Sequence, residues 1–313
     1  KPAAIGSVAV LVFGLGYGVI VRGERSLGID FRGGDSMTYT FSQHTDVEKL
    51  RTVMAEVSYT ENNQLKKVEG DSMIQYQKNL GDGAEHLLVT VPSGAGPATT
   101  AALMSGLPDA GFKEISAEQV GAVIGKEILK SACLSVVLAL FGILFYVGVR
   151  FEFSFSVAAV VAVLHDFLIT IGLFLLMGRE LSAPIVAALL TVIGFSINDT
   201  IVIFDRIRED LKLGIRGTFK EVINTALNET LSRTIITSGT TLLATMSLAV
   251  FGGGVINDFA VALLIGVVVG TYSSIYVACA TVLWWHKGQR PKMASAQVDM
   301  TGVVVDVPAT VVP

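Results

Sequence analysis

Residues 184–210, PIVAALLTVIGFSINDTIVIFDRIRED, hold one formal charge, Asp199, in their first twenty-one positions and five in their last six. An apolar run of about 20 residues matches the roughly 30 Å hydrocarbon layer of a bilayer at 1.5 Å per helical residue. The stretch therefore predicts a membrane-spanning helix over 184–204 that leaves the bilayer at Asp205. Five more runs of this kind, 3–21, 131–149, 155–177, 234–251 and 259–285, bring the predicted spans to six. The expected fold class is membrane α-helical, with a water-soluble α+β domain inserted between the first and second spans. The chain divides into a first span at 1–22, the inserted domain at 23–130, a five-helix region at 131–290 and a tail at 291–313. That tail has little charge and no helical period, and is expected to be disordered.

Composition agrees with this division. Apolar residues make up 51% of the chain and charged residues 16%, with a mean hydropathy of +0.62. Residues 23–130 carry 25 of the 50 charged side chains, which marks them as the water-facing part. The net charge of −4 comes with no clustered basic face, so no nucleic-acid partner is expected. Two cysteines, Cys133 and Cys279, both in apolar runs, provide neither a disulfide framework nor a zinc cluster. Residues 3–21 exceed a signal-peptide core and lack a small-x-small cleavage site, so they read as an uncleaved span.

Lysine and arginine in the short loops set the orientation. Arg150, then Arg206, Arg208, Lys212, Arg216, Lys220 and Arg233, then Lys287, Arg290 and Lys292 lie on one side; Arg179 alone lies on the other. Ten cations against one predict that both termini are cytoplasmic and that 23–130 is extracytoplasmic. Within 23–130, strands are expected over 37–41, 64–77, 86–91 and 112–120, and helices over 46–57 and 97–107. The order β-α-β-β-α-β is the split, ferredoxin-like arrangement. Near 217–232 one apolar face, Phe219, Val222, Ile223, Ala226 and Leu227, predicts an amphipathic helix lying along the cytoplasmic surface.

An ionisable group in a spanning helix costs about 2.5–3.5 kcal/mol near its centre, so each is a functional candidate. Asp199 sits among Ser196, Asn198 and Thr200. It reads either as a proton carrier or as a hydrogen-bonded contact between helices. Arg233 opens the fifth span, followed at steps of four by Thr237, Thr241 and Thr245. It cannot release its proton, so it reads as a counter-ion to Asp199 or as an arginine reaching the headgroups. His165 and Asp166 fall mid-way along the third span, as a second relay station or a structural pair. Asp258 reads as a solvated helix-end residue. Gly28 and Gly33 lack the Gly-Lys-Ser/Thr of a phosphate loop, and the four histidines show no metal-ligand spacing. No cofactor or metal is expected, and work would draw on an ion gradient or a partner's ATPase.

Several motifs resemble one family. Leu27-Gly-Ile-Asp-Phe-Arg-Gly-Gly34, with Gly28, Asp30, Phe31, Gly33 and Gly34, is similar to the signature opening the outer domain of SecD and SecF, accessory subunits of the bacterial Sec translocase. Gln119-Val-Gly-Ala-Val-Ile-Gly-Lys-Glu127 resembles their second shared motif, with Ala122 where many relatives have proline. Val163-Leu-His-Asp166, the segment Ser196–Glu209 and Leu231–Thr241 are similar to the SecF branch. The resemblance implies a non-enzymatic subunit of the resistance-nodulation-division type in the bacterial inner membrane. It further implies pairing with SecD, separately or as a fused SecDF, and contacts with the SecYEG channel, YajC and the preprotein in transit. Protons would be the coupling ion, Asp199 and Arg233 would take part in their passage, and the outer domain would move or capture emerging polypeptide. A passive scaffold for SecD and the channel is the competing expectation. The start at Lys1, without methionine, reads as trimmed and is compatible with excision from a fused polypeptide.

Overall fold

The structure, a computed structural model, describes residues 2–61, 64–68, 72–78, 84–291, 296–298 and 304–306. Lys292, most of the tail and residues 69–71 of the strand expected over 64–77 lie outside these. The chain opens with α1 (Pro2–Gly16), which continues as a π-helical segment, Tyr17–Arg22, and after one short turn reaches α2 (Ile29–Arg32). The α+β domain then runs β1 (Gly34–Thr40), α3 (Val47–Ala55), β2 (Ser58–Glu61), β3 (Gln64–Lys67), β4 (Met73–Lys78), β5 (Glu85–Val91), α4 (Gly96–Gly106) and β6 (Lys113–Val120).

Four of these strands form one antiparallel sheet in the order β4-β5-β1-β6. Alternation decides its faces: Met37 and Tyr39 of β1 and Leu87, Val89 and Val91 of β5 are buried, while Ser36 and Thr38 between them are not. The buried face packs on Leu50 and Met54 of α3 and Leu103 of α4. Asp46 caps α3 by accepting from the Glu48 amide at 3.2 Å. Asp35 does the same for α4, accepting from the Gly94 and Gly96 amides at 2.9 and 2.8 Å. The single strand expected over 64–77 is divided. Its first part is β3, which pairs with β2 in a separate two-stranded ladder. Ser58-Tyr-Thr-Glu61 has too little apolar alternation for β2 to be read from the sequence.

Beyond the domain come α5 (Ala122–Arg150), α6 (Phe153–Leu176), α7 (Ala183–Lys212) and α8 (Phe219–Phe251). α9 (Gly254–Ser273) then runs through a π-helical segment, Ser274–Ala278, into α10 (Cys279–Trp285). Among the described residues five helices are long and apolar enough to cross a bilayer, the last of them the joined Gly254–Trp285, and Ala9–Arg22 is a shorter apolar one. Ala122 is the first residue of α5, a position that favours proline. In the tail, Ala296–Val298 pairs with Val304–Asp306 where the sequence predicts no regular structure.

The surface helix expected near 217–232 is not a separate element. It is the beginning of α8, which continues unbroken for 33 residues from a Thr218–Glu221 capping box. No proline interrupts the segment. Phe219, Ile223 and Ala226 insert among Phe155, Phe204 and Ile207, so their apolar face meets helix ends rather than a lipid surface. Small residues set the helix crossings. A Cβ at Gly14 of α1 would stand 2.7 Å from the Gly172 Cα of α6, and one at Gly266 of α9 would overlap Val192 of α7.

The domain meets the bundle through the segment after α1. The Gly28 amide donates to the Leu181 carbonyl at 2.7 Å, and the Leu181 amide to the Ser26 carbonyl at 2.8 Å. Asp30 Oδ2 accepts from the Ala183 amide at 2.8 Å, and Gln75 Nε2 donates to the Gly178 carbonyl at 3.0 Å. Gly33 and Gly34, at φ 79° and 147°, turn the chain from α2 into β1 through conformations other residues rarely adopt.

Gly14→Val is expected to force α1 away from α6, since the obstructing atoms are backbone and cannot rotate aside. We expect a loss of about 1–3 kcal/mol, seen as a lower thermal midpoint in detergent than Gly6→Val, whose site has open space around it.

Candidate functional site

The helical repeat of α6 places His165 and Asp166 about 100° apart, and the two side chains face different neighbours. Asp166, 1% exposed, lies between α6, α7 and α9. Its Oδ2 accepts from Ser196 Oγ of α7 at 2.5 Å and from Ser273 Oγ of α9 at 2.6 Å. Its Oδ1 is 2.9 Å from His165 Nδ1, and His165 Nε2 meets Ser7 Oγ of α1. A chain of polar contacts thus joins four helices through one carboxylate. Gly270 permits it: a Cβ there would press on the Ser196 side chain at 3.2 Å.

Asp199 lies one turn from Ser196 on α7 and is also buried, at 2% exposure. Its environment is different. The buried Oδ2 has no hydrogen-bond partner among the described residues. The cation whose charge acts on it is Arg233 of α8. Arg233 is itself exposed, in a recess of about 260 Å³ with Tyr146, Arg150 and Asp205. The interaction therefore runs through space rather than through a hydrogen bond. Thr200 is buried and donates to the Ser196 carbonyl at 3.1 Å, whereas Asn198 is exposed on the other side of α7.

The threonine column does not form a hydroxyl wire. Thr237, Thr241 and Thr245 each donate to the carbonyl one turn back, those of Arg233, Thr237 and Thr241, at 3.0, 2.9 and 2.7 Å. Among the described residues two contacts tie α8 to α9: Ser238 with Thr271 at 2.7 Å, and Asn257 Nδ2 donating to the Ala249 carbonyl at 2.6 Å. Sequence reading missed Ser7, Ser273 and Ser238, because single serines in apolar runs carry no pattern. It also missed Thr170, whose hydroxyl, one turn from Asp166, is buried without a partner among the described residues.

At the domain end, Asp258, expected to be a solvated helix-end residue, is paired with Arg179, which closes the α6–α7 turn onto the start of α9. Glu180 lies beside them, with Oε1 buried and unpartnered among the described residues. Burial pushes its carboxyl up to about 7 from 4.5, against the pull of Arg32 and Arg22. These residues border a cleft of about 880 Å³ between the open face of the sheet and the helix ends. Its sheet side presents Ser36, Thr38 and Gln75 together with Leu88, Ile115 and Glu118, a surface of mixed polar and apolar side chains.

Residues 101–288 match the model of the family described as protein export membrane protein SecD/SecF, C-terminal. The chain belongs to the SecD/SecF family. It is 40% identical to the protein translocase subunit SecF of Desulfurispirillum indicum, covering 90% of this chain and 89% of that one. It is 37% identical to the protein translocase subunit SecDF of Thermus thermophilus, covering 92% of this chain and 38% of that one. The crystal structure of SecDF from Thermus thermophilus superposes with a TM-score of 0.78 at 36% identity, over 90% of this chain and 37% of that chain.

The match to the Desulfurispirillum indicum SecF covers about nine-tenths of both chains, and that to the fused SecDF little more than a third of its length. A multi-pass SecF-type membrane protein, with a role in protein translocation rather than enzymatic catalysis, follows from these likenesses and the apolar helices. The family match covers all four groups singled out from the sequence, His165, Asp166, Asp199 and Arg233.

Removing a donor from a buried carboxylate costs about 1–3 kcal/mol. Ser273→Ala and Ser196→Ala are each expected to lower stability by that amount in a detergent-melting experiment, and Thr241→Ala by much less. Glu180 contributes in the opposite sense to a paired acid. Its folded value is raised, so the folded junction holds the proton more tightly than the unfolded chain. Stability is greatest below about pH 4.5 and falls by up to about 3 kcal/mol as pH rises to 7. Hydrogen exchange at the Gly28 and Leu181 amides, corrected for intrinsic rates, should speed up between pH 5 and 8 in the parent and stay flat in Glu180→Gln.

Proposed function

We propose that this chain is a SecF-type subunit that, with SecD, uses the proton motive force to promote the late stage of protein export across the bacterial cytoplasmic membrane. The observation that carries the reading is Asp199, buried within a spanning helix with an unpartnered oxygen and Arg233 as the cation acting on it. An ionised carboxylate without donors is costly in a low dielectric, and a neutral one much less so. Such a group favours taking a proton when one is available and releasing it when Arg233 draws near. Protons are then the coupling ion, and no cofactor takes part. Asp166 has donors on both oxygens, so in this reading it and His165 order the helices around Asp199, with proton transfer as the secondary role.

The reading includes six spans, with α1 and its π-helical extension as the first. The close approach of Gly14 to Gly172 supports counting it with the bundle. It includes a ferredoxin-like domain, supported by the β4-β5-β1-β6 order with a helix after β1 and after β5. It places both termini in the cytoplasm, supported by the ten-to-one distribution of cations. Asn198 and Thr240 are exposed on α7 and α8, within the spans expected over 184–204 and 234–251. Polar groups there are costly against lipid, and the helices of SecD are the natural cover, as the fused SecDF relative suggests. SecYEG and YajC complete the partners. The mixed polar and apolar cleft beneath the sheet is where emerging polypeptide would be held.

The passive-scaffold reading has one observation in its favour: Asp166 is fully hydrogen-bonded, as a helix-joining residue would be. Replacing Asp199 separates the two. Proteoliposomes carrying the complete translocase with its SecD partner are given a proton gradient, and export is followed by protease protection of the substrate. Asp199→Asn is expected to abolish the gradient-dependent part of export, about tenfold or more, with complex assembly unchanged. Normal gradient-dependent export by that variant would establish the scaffold reading instead.

A further inference from the structure

We propose that Asp30 is a positioning residue that locks the tilt of the α+β domain to the first turn of α7, the helix that carries Asp199. Its consequence for export rests on the proton-driven reading above. The first amides of a helix have no partner within it, and an anionic acceptor suits them best. Ser182, at the N-cap of α7, makes no side-chain cap bond. Asp30 provides the cap from 153 residues away, through Oδ2 to the Ala183 amide at 2.8 Å.

The segment around Asp30 is held on two sides. On one, the Gly28–Leu181 and Leu181–Ser26 backbone bonds strap it to the α6–α7 turn. On the other, α5 presses against the same turn: a Cβ at Gly125 would stand 2.9 Å from the Phe31 carbonyl oxygen and 3.0 Å from the Gly33 nitrogen. Gly33 and Gly34 then lead directly into β1, which pairs with both β5 and β6 inside the sheet. From Asp199 the path runs back sixteen residues, about 24 Å of rigid helix, to Ala183, across one hydrogen bond to Asp30, and into the middle of the sheet. The backbone strap fixes where the domain sits. The Asp30 bond adds a side-chain link between α2 and the helix itself, so a shift of α7 along its axis is passed to the domain.

This assigns a task to the signature residues other than ligand binding. Phe31 is buried beneath the turn, Gly33 and Gly34 allow the turn, and Asp30 makes the bond. The requirement is for an acceptor of this shape, so the charge itself is secondary.

The test uses the complete SecDF complex in proteoliposomes, with spin labels at Thr52 in the domain and Val255 in the first turn of α9, both exposed. Asp30→Ala should broaden the interlabel distance distribution and lower gradient-dependent export by roughly fivefold, the effect of losing one helix cap. Asp30→Asn, which keeps an acceptor oxygen in place, should restore both; Asp30→Leu should restore neither. If the alanine variant fails to assemble, Ala183→Pro deletes the same amide at a position that favours proline and carries the same expectation. An unchanged distance distribution in Asp30→Ala, or an asparagine variant as defective as alanine, overturns the proposal. Asp199→Asn run in parallel keeps the two readings apart: normal export there would overturn proton coupling, while the label distances would still decide the role of Asp30.

Discussion

A carboxylate inside a bilayer has no water to solvate it, so it must find donors from neighbouring helices or give up its charge. Asp166 takes the first course, and much of the bundle depends on it. Its two oxygens gather Ser196, Ser273 and His165, and His165 in turn reaches Ser7, so α1, α6, α7 and α9 converge on one side chain. The close crossings at Gly14, Gly172, Gly266 and Gly270 follow from that demand, since hydroxyls on short side chains make such bonds only when backbones come near. Asp199, one turn along α7 from Ser196, has a buried oxygen with no donor among the described residues. Two carboxylates in one apolar bundle, one saturated with donors and one nearly without, are suited to different tasks.

The same economy of contacts holds at the domain end. The α+β domain meets the bundle through a few backbone bonds around Leu181, the Asp30 and Gln75 side chains, and the cleft between them. Glu180, pressed between Arg22 and Arg32 yet largely desolvated, makes that junction sensitive to pH near neutrality. A broad apolar interface would hold the domain in one position.

Much of the architecture was legible because it follows from local physics. Spans read from apolar length fall, to within about one residue, inside α5, α6, α7 and the joined α9–α10, with α5 starting about nine residues earlier and α7 ending about eight later than expected, and β1 and β5 of the main sheet follow their two-residue alternation. Reading failed where a partner distant in sequence decides the outcome. The 217–232 segment has the pattern of a surface helix, but Phe155, Phe204 and Ile207 offer its apolar face a better place and make it the start of α8. The 64–77 stretch is divided because β3 finds β2, a strand with little signal of its own.

For the site, the sequence by itself determined which groups carry charge into the membrane: Asp166, Asp199, His165 and Arg233 are conspicuous because ionisable residues are costly there. The family motifs around them were equally plain. Only the tertiary structure decided how they differ. It brings Ser196 and Ser273, 77 residues apart, onto the same oxygen of Asp166, leaves Asp199 with an open one, turns Asn198 outward and closes the threonines onto their own helix. It also places Asp30 on the first amide of α7. Charge is a property of a residue, but its solvation depends on which helices lie against it, and that is settled only when the chain has packed.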